Sequence, residues 1–209
     1  MVSTRSGEHL SFASTQKQVE RVQQIINDCV HRIGKFTILG EELVPFGLKP
    51  IARSISWLVE QIVVQNLMKE MERYGISEVI PSPTNVELHD CLLKFENLES
   101  YVNIKTSLTS TDERGRFDIS KASRLIELYK AKPNLLLLVA VVKVELKGVV
   151  VRFNNVVVFN VAWTPDPYYN RANHNLQAKA DGTQTFRTNS EFVRILTDKV
   201  QDAGHATHY

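Results

Sequence analysis

The chain has 209 residues, 43% of them hydrophobic and 23% charged, with 25 Lys plus Arg against 23 Asp plus Glu and a formal net charge of +2. This is ordinary globular usage: it excludes a disordered, collagen-like or coiled-coil chain and suits one domain with a sizeable core, while the near-balance of charge neither announces a nucleic-acid binder nor forbids one with clustered bases. The longest apolar run, Leu135 to Val142, falls far short of the ~20 residues of a membrane span, and the N-terminal stretch MVSTRSGEHLSFASTQKQVE has no apolar signal segment, so a soluble, cytoplasmic protein that does not enter a membrane is expected.

The polar stretch 1–15 reads as a frayed start. Apolar residues then recur at helical spacing (Val19, Val22, Ile25, Ile26, Val30), which predicts a helix over 16–33. A loop with Gly34, Gly40, Pro45, Gly47 and Pro50 follows. A second helix is expected over 51–74, carrying Ile55, Leu58, Ile62, Leu67 and Met71 and stopping at Gly75. Pro81, Pro83 and Asn85 mark turns, and strands are expected over 86–95 and 101–106 with a hairpin turn at Asn97. A polar loop runs over 107–117, and Asp118 or Ser120 is placed to cap a helix ending before Pro133. Strands follow over 135–146 and 149–162, the second with a break at Asn154–Asn155, and Leu135–Val142 is apolar on both faces, as a strand covered on both sides must be. A long polar region, 164–190, precedes a closing helix over 191–200. Cys29 and Cys91 have no Cys-x-x-Cys or Cys/His ligand spacing and read as buried thiols rather than zinc ligands or a disulfide. The order predicts one α/β domain, a mixed β-sheet flanked by helices.

Chemistry concentrates in the hairpin. Asn103 and Lys105 are two apart and share a strand face, and the turn at Asn97 brings Asp90 opposite them on the neighbouring strand. An acid, an amide and an ammonium on one patch suit metal-dependent phosphodiester cleavage. Asp90 can hold Mg²⁺, with Mn²⁺ as a substitute, the Ile104 carbonyl can add a ligand, and Lys105 can orient or deprotonate water.

On Asp90, the spacing to Asn103-Ile104-Lys105, the following Thr106-Ser107, the loop to Asp118-Ile119-Ser120-Lys121, and the element order over 50–163, the chain resembles the PD-(D/E)xK nuclease superfamily and, within it, type II restriction endonucleases. The resemblance implies a restriction-endonuclease-like fold and a Mg²⁺-dependent, sequence-specific endonuclease of restriction-modification type, cutting double-stranded DNA as a homodimer. The expected layout is a single nuclease domain over 1–209, with N-terminal helices in 16–74, a catalytic sheet core in 86–163 and a DNA-recognition region in 164–200.

One position departs from the pattern: the second acid is Asn103, whose amide oxygen can ligate a metal but brings no charge. Glu60, the sole acid in WLVEQIVVQNL, is the candidate to compensate, since superfamily members often carry a glutamate on the helix before the hairpin; Glu87 reads as pointing to the opposite strand face from Asp90. His89 is expected to be structural. For DNA contact the candidates are Arg114, Arg116 and Lys121 near the cut, and Asn173, Asn175, Gln177, Lys179, Gln184 and Arg187 in the polar region, because Asn, Gln, Arg and Lys make the bidentate contacts to base edges. Alternatives are a repair or recombination nuclease reading DNA structure, a catalytically silent DNA-binding protein on a nuclease-like fold, and a protein that binds a small ligand or another protein.

Overall fold

In a computed structural model the described residues are 11–48, 51–84, 87–109, 116–180 and 182–205. The chain opens with helix α1 (Phe12–Ile33), whose N-cap Ser11 accepts from the Ser14 N–H at 3.2 Å. Strand β1 (Lys35–Thr37) and helix α2 (Ala52–Lys69) follow, then a 3₁₀ turn, Met71–Tyr74, that ends on Gly75 in the left-handed region. Strands β2 (Glu78–Pro81), β3 (Cys91–Lys94), β4 (Glu99–Leu108) and β5 (Phe117–Lys121) precede helix α3 (Ala122–Ala131). The two long strands β6 (Leu137–Lys147) and β7 (Val150–Asn160) come next, then β8 (Tyr168–Asn170), β9 (Asn175–Ala178) and helix α4 (Asn189–His205).

Six strands form one mixed sheet in the order β1-β7-β6-β4-β3-β2, in which β4 and β6 run parallel and the other pairs antiparallel. Its centre is β6, where every residue from Leu137 to Val142 is buried, as an apolar run on both faces requires. α2 buries Ile55, Val59, Val63 and Leu67 and packs against β4, while α1 packs along β7. α3 and α4 pack together through Tyr129 and Phe192, whose rings meet edge to face at 5.3 Å. This is the expected mixed sheet with flanking helices.

Several elements depart from the sequence reading. β1 and β2 fall in stretches read as loop and turns; Pro81 is admitted because β2 is an edge strand and needs no ladder donor there. The strand read over 86–95 is only β3, since the chain from Glu87 to His89 bends, and Asp90 joins its neighbours by single backbone bonds to Ser82 and Val102. Asp118 and Ser120 do not cap α3: both lie in β5, and Lys121 is the N-cap, with no side-chain bond. The polar region holds β8 and β9, which join β5 in a second sheet, β5-β9-β8. The break read at Asn154–Asn155 is a bulge: Lys143 faces Asn155 and Val144 faces Phe153, leaving Asn154 as the extra residue.

α1 closes the β7 edge beyond β1. Gln23 Oε1 accepts from the Val158 N–H at 2.9 Å, Asn27 Oδ1 accepts from the Val156 N–H at 3.2 Å, and His31 Nε2 donates to the bulged Asn154 carbonyl at 2.9 Å. Spaced four apart, these side chains share one helix face, so the helix supplies polar partners where a neighbouring strand is missing.

Candidate active site

Asp90 sits immediately before β3. Its N–H donates to the Val102 carbonyl at 2.8 Å, and its Oδ2 accepts from the Ile104 N–H at 2.5 Å. The register explains the second bond. Cys91 faces Val102, and β3 ends there, so the Ile104 N–H, which points to the β3 side, finds a carboxylate where a strand carbonyl would have been. The Ile104 carbonyl points to the same side, because N–H and C=O of one strand residue project together. It therefore opens toward Asp90.

Asn103 follows Val102, the partner of Cys91, and is buried, 5% exposed. Its Nδ2 donates to the Leu88 carbonyl at 3.0 Å and so ties the bend ahead of β3 to β4, while its Oδ1 is buried without a hydrogen-bond partner. Lys105 shares that face and is half-buried. Glu60, on α2, lines a cavity of about 330 Å³ together with Asp90, and its charge is coupled to both Asp90 and Lys105. The fold thus brings Asp90, Asn103, Ile104, Lys105 and Glu60 to one end of the hairpin.

Burial and crowding shape the acids. The Glu60 carboxyl is pushed up to about 7, first by burial and then by the charge of Asp90, with Lys105 opposing. Burial also raises Asp90, opposed by the Ile104 N–H, Lys105 and His89. Two carboxyls that resist ionising together under one ammonium form a place that gains from a cation. Among the described residues no three His, Cys, Asp or Glu side chains converge as a metal cluster. Mg²⁺ needs less: one or two carboxylates and otherwise carbonyl and water oxygens. Asp90, Glu60, the Ile104 carbonyl and the unpartnered Asn103 Oδ1 fit that donor set.

His89 packs edge to face on Tyr101 at 4.9 Å, and burial lowers its pKa. Lys132 Nζ donates to the Tyr101 hydroxyl at 2.8 Å beside it. Glu87 is exposed in the bend.

The nucleic-acid candidates scatter. Arg114 lies outside the described residues. Arg116 pairs with Asp166 at 3.2 Å and stacks over the Tyr168 ring. Lys121 Nζ donates to the Asn173 carbonyl, and the Asn173 and Gln177 amides both donate to Asp118, at 3.2 and 2.7 Å. Asn175, in β9, is half-buried, Lys179 is exposed, and Gln184 buries its Oε1 without a partner. Arg187 is 9% exposed, and its guanidinium donates to the Ala162 and Thr164 carbonyls at 3.2 and 2.6 Å. Much of the polar region is therefore occupied in holding the small sheet and the turn after β7. Missed altogether was Trp57, 62% exposed at the same cavity; its place three residues before Glu60, on the same helix face, was the signal.

No protein-family profile and no curated protein sequence matches the chain. Among solved structures it is similar to NlaIV restriction endonuclease, at 10% sequence identity and a TM-score of 0.52, over 96% of this chain and 91% of that one. At that identity the likeness is one of fold alone. The chain has a restriction-endonuclease-like α/β fold, a mixed sheet flanked by helices, with Asp90, Asn103 and Lys105 at one end of its β3–β4 hairpin.

Proposed function

We propose that the protein is a Mg²⁺-dependent endonuclease of the type II restriction kind, hydrolysing double-stranded DNA at a specific sequence as a homodimer. The observation that carries this reading is the meeting of Asp90, Glu60 and Lys105 at the open end of the β3–β4 hairpin, on a nuclease-like fold. Asp90 and Glu60, helped by the Ile104 carbonyl and Asn103 Oδ1, would hold the cation, which supplies Lewis-acid stabilisation of the charge gathering on the phosphate. Lys105, as the ammonium, would orient the attacking water by donating to its oxygen and would offset negative charge in the transition state, the water's proton passing to bulk solvent as the phosphorus–oxygen bond to the leaving strand breaks. The Ile104 N–H holds Oδ2 of Asp90 in place. Two protomers related by a two-fold would each cut one strand of a palindromic site.

A second reading has its own observation. The uncharged Asn103 and the absence, among the described residues, of a three-acid cluster also suit a DNA-binding protein that has lost catalysis. One experiment separates the two. Purified protein is incubated with mixed plasmid and phage DNA in Mg²⁺, in Mn²⁺ and in EDTA, beside Asp90→Ala and Lys105→Ala. Discrete metal-dependent fragments, reduced about a hundredfold or more in both variants, support the nuclease. Salt-dependent binding that survives Lys105→Ala, with no cleavage under either metal, overturns it in favour of the silent binder. A smear would point to a nuclease that reads structure or no sequence at all.

A further inference from the structure

The chain has two tryptophans with opposite fates. Trp163 is 2% exposed, and its indole N–H donates to the Arg187 carbonyl at 3.0 Å. Trp57 is 62% exposed on α2, a helix whose other face is core. Leaving so large an apolar surface in water forfeits burial that the helix could have made elsewhere, so its position matters. Trp57 borders the cavity that holds Glu60 and Asp90. The rest of that wall is uncharged, mixing apolar Val64, Met68 and Pro81 with Gln61, Gln65, Ser82 and Thr84. Such a lining offers a phosphate no cation, and the two acids repel it except through one. A planar, uncharged ring with polar edges suits it well. Arg53 is exposed one helical turn before Trp57, on the same helix face.

We propose that Trp57 is a stacking platform for a nucleobase drawn out of the helical stack next to the scissile phosphate, with the Gln61 and Gln65 amides and the Ser82 and Thr84 hydroxyls facing its edge. This rests on the nuclease reading of the same site and adds to it a substrate class: DNA in which a nucleotide beside the cut is unpaired or readily unstacked. A base paired within a regular duplex cannot present its face to an indole, whereas an extruded or bulged one can. Each base stacked on an aromatic side chain contributes enough that losing the aromatic weakens binding by roughly 5- to 100-fold.

The test uses the full chain with Ca²⁺ in place of Mg²⁺, so that the site holds a cation without cutting, and fluorescein-labelled duplexes of mixed sequence that are either fully paired or carry one central bulged nucleotide. Anisotropy reads binding; the difference in emission between wild type and Trp57→Phe isolates Trp57 from buried Trp163. Expected are tighter binding of the bulged duplex, quenching of Trp57 with shielding from acrylamide, and a loss of about 10-fold or more in affinity for the bulged duplex in Trp57→Ala, largely recovered in Trp57→Phe. The unfolding midpoint of Trp57→Ala stays near that of wild type because the side chain is exposed. Binding of both duplexes without quenching, or an equal loss on both in Trp57→Ala, overturns the platform and leaves the nuclease reading standing. No salt-dependent binding of either duplex overturns the nuclease reading, and the platform with it. A dimer that Trp57→Ala dissolves, with no quenching by DNA, gives this face to a second copy of the chain and overturns the proposal as well.

Discussion

Asn103 does two jobs with one amide. Its Nδ2 anchors the Leu88 carbonyl, and its Oδ1 is left over, buried and unpaired. Asn103→Asp would give the site a third negative charge and set a carboxylate oxygen against the Leu88 carbonyl oxygen. The expected outcome is a metal-free protein less stable by about 2 kcal/mol, with a larger gain in unfolding midpoint on adding Mg²⁺ than wild type shows; equal midpoints for the two proteins in EDTA would contradict it. Glu60 gives a pH prediction. Its folded pKa of about 7 lies above the ordinary 4.5, so between those values the folded state holds a proton that the unfolded state has released. Stability therefore declines as pH rises through that window and stays reduced above it. Since the side chain is half in solvent, the penalty amounts to about 1 kcal/mol. Glu60→Gln should remove that decline: denaturant titrations in EDTA should show it more stable than wild type at about pH 8 and little different at about pH 5.

At the scale of elements, the β7 edge depends on α1. Gln23 and Asn27 each satisfy a strand N–H that no strand reaches. Gln23→Ala or Asn27→Ala is expected to cost about 1–2 kcal/mol, and the double variant to expose an edge that recruits other chains, seen as light scattering during refolding. These contacts show what was legible. The long elements announce themselves because their periods persist: α1, the second helix and the apolar run of β6 all read directly from residue spacing. Helix α2 stops at Lys69 and tightens into a 3₁₀ turn before Gly75, a change of pitch that spacing does not record. β1, β2, β8 and β9 are invisible for a different reason. Each has three or four residues, too few to show alternation, and forms only because a neighbouring strand pairs with it.

For the whole molecule, the hairpin site could be read in sequence because Asp90 immediately precedes β3 and Lys105 lies in β4, consecutive strands whose pairing follows from the turn between them. Glu60 reaches the same place only through the packing of α2 on β4, which spacing cannot supply. The polar region reads as a binding surface by composition, yet composition does not distinguish an amide aimed at solvent from one holding a sheet. Arg187 and Lys179 test this distinction. Arg187→Ala removes a guanidinium bonded to two buried carbonyls and is expected to destabilise the fold by about 2–3 kcal/mol without changing the salt dependence of DNA binding. Lys179→Ala, at an exposed position, should leave stability unchanged; if it meets a phosphate, the slope of log affinity against log salt falls by about 1. A flatter salt slope for Arg187→Ala in folded protein would reverse the assignment.

The bond from the Ile104 amide to Asp90 also makes that amide a built-in reporter. The proton of an amide held by a carboxylate shifts with the electron density on that oxygen, so its resonance should move downfield as Asp90 ionises and partly back as a divalent cation draws charge away. A single backbone signal, far from any engineered label, would then record the loading of the site and separate a metal that arrives from a metal that is used.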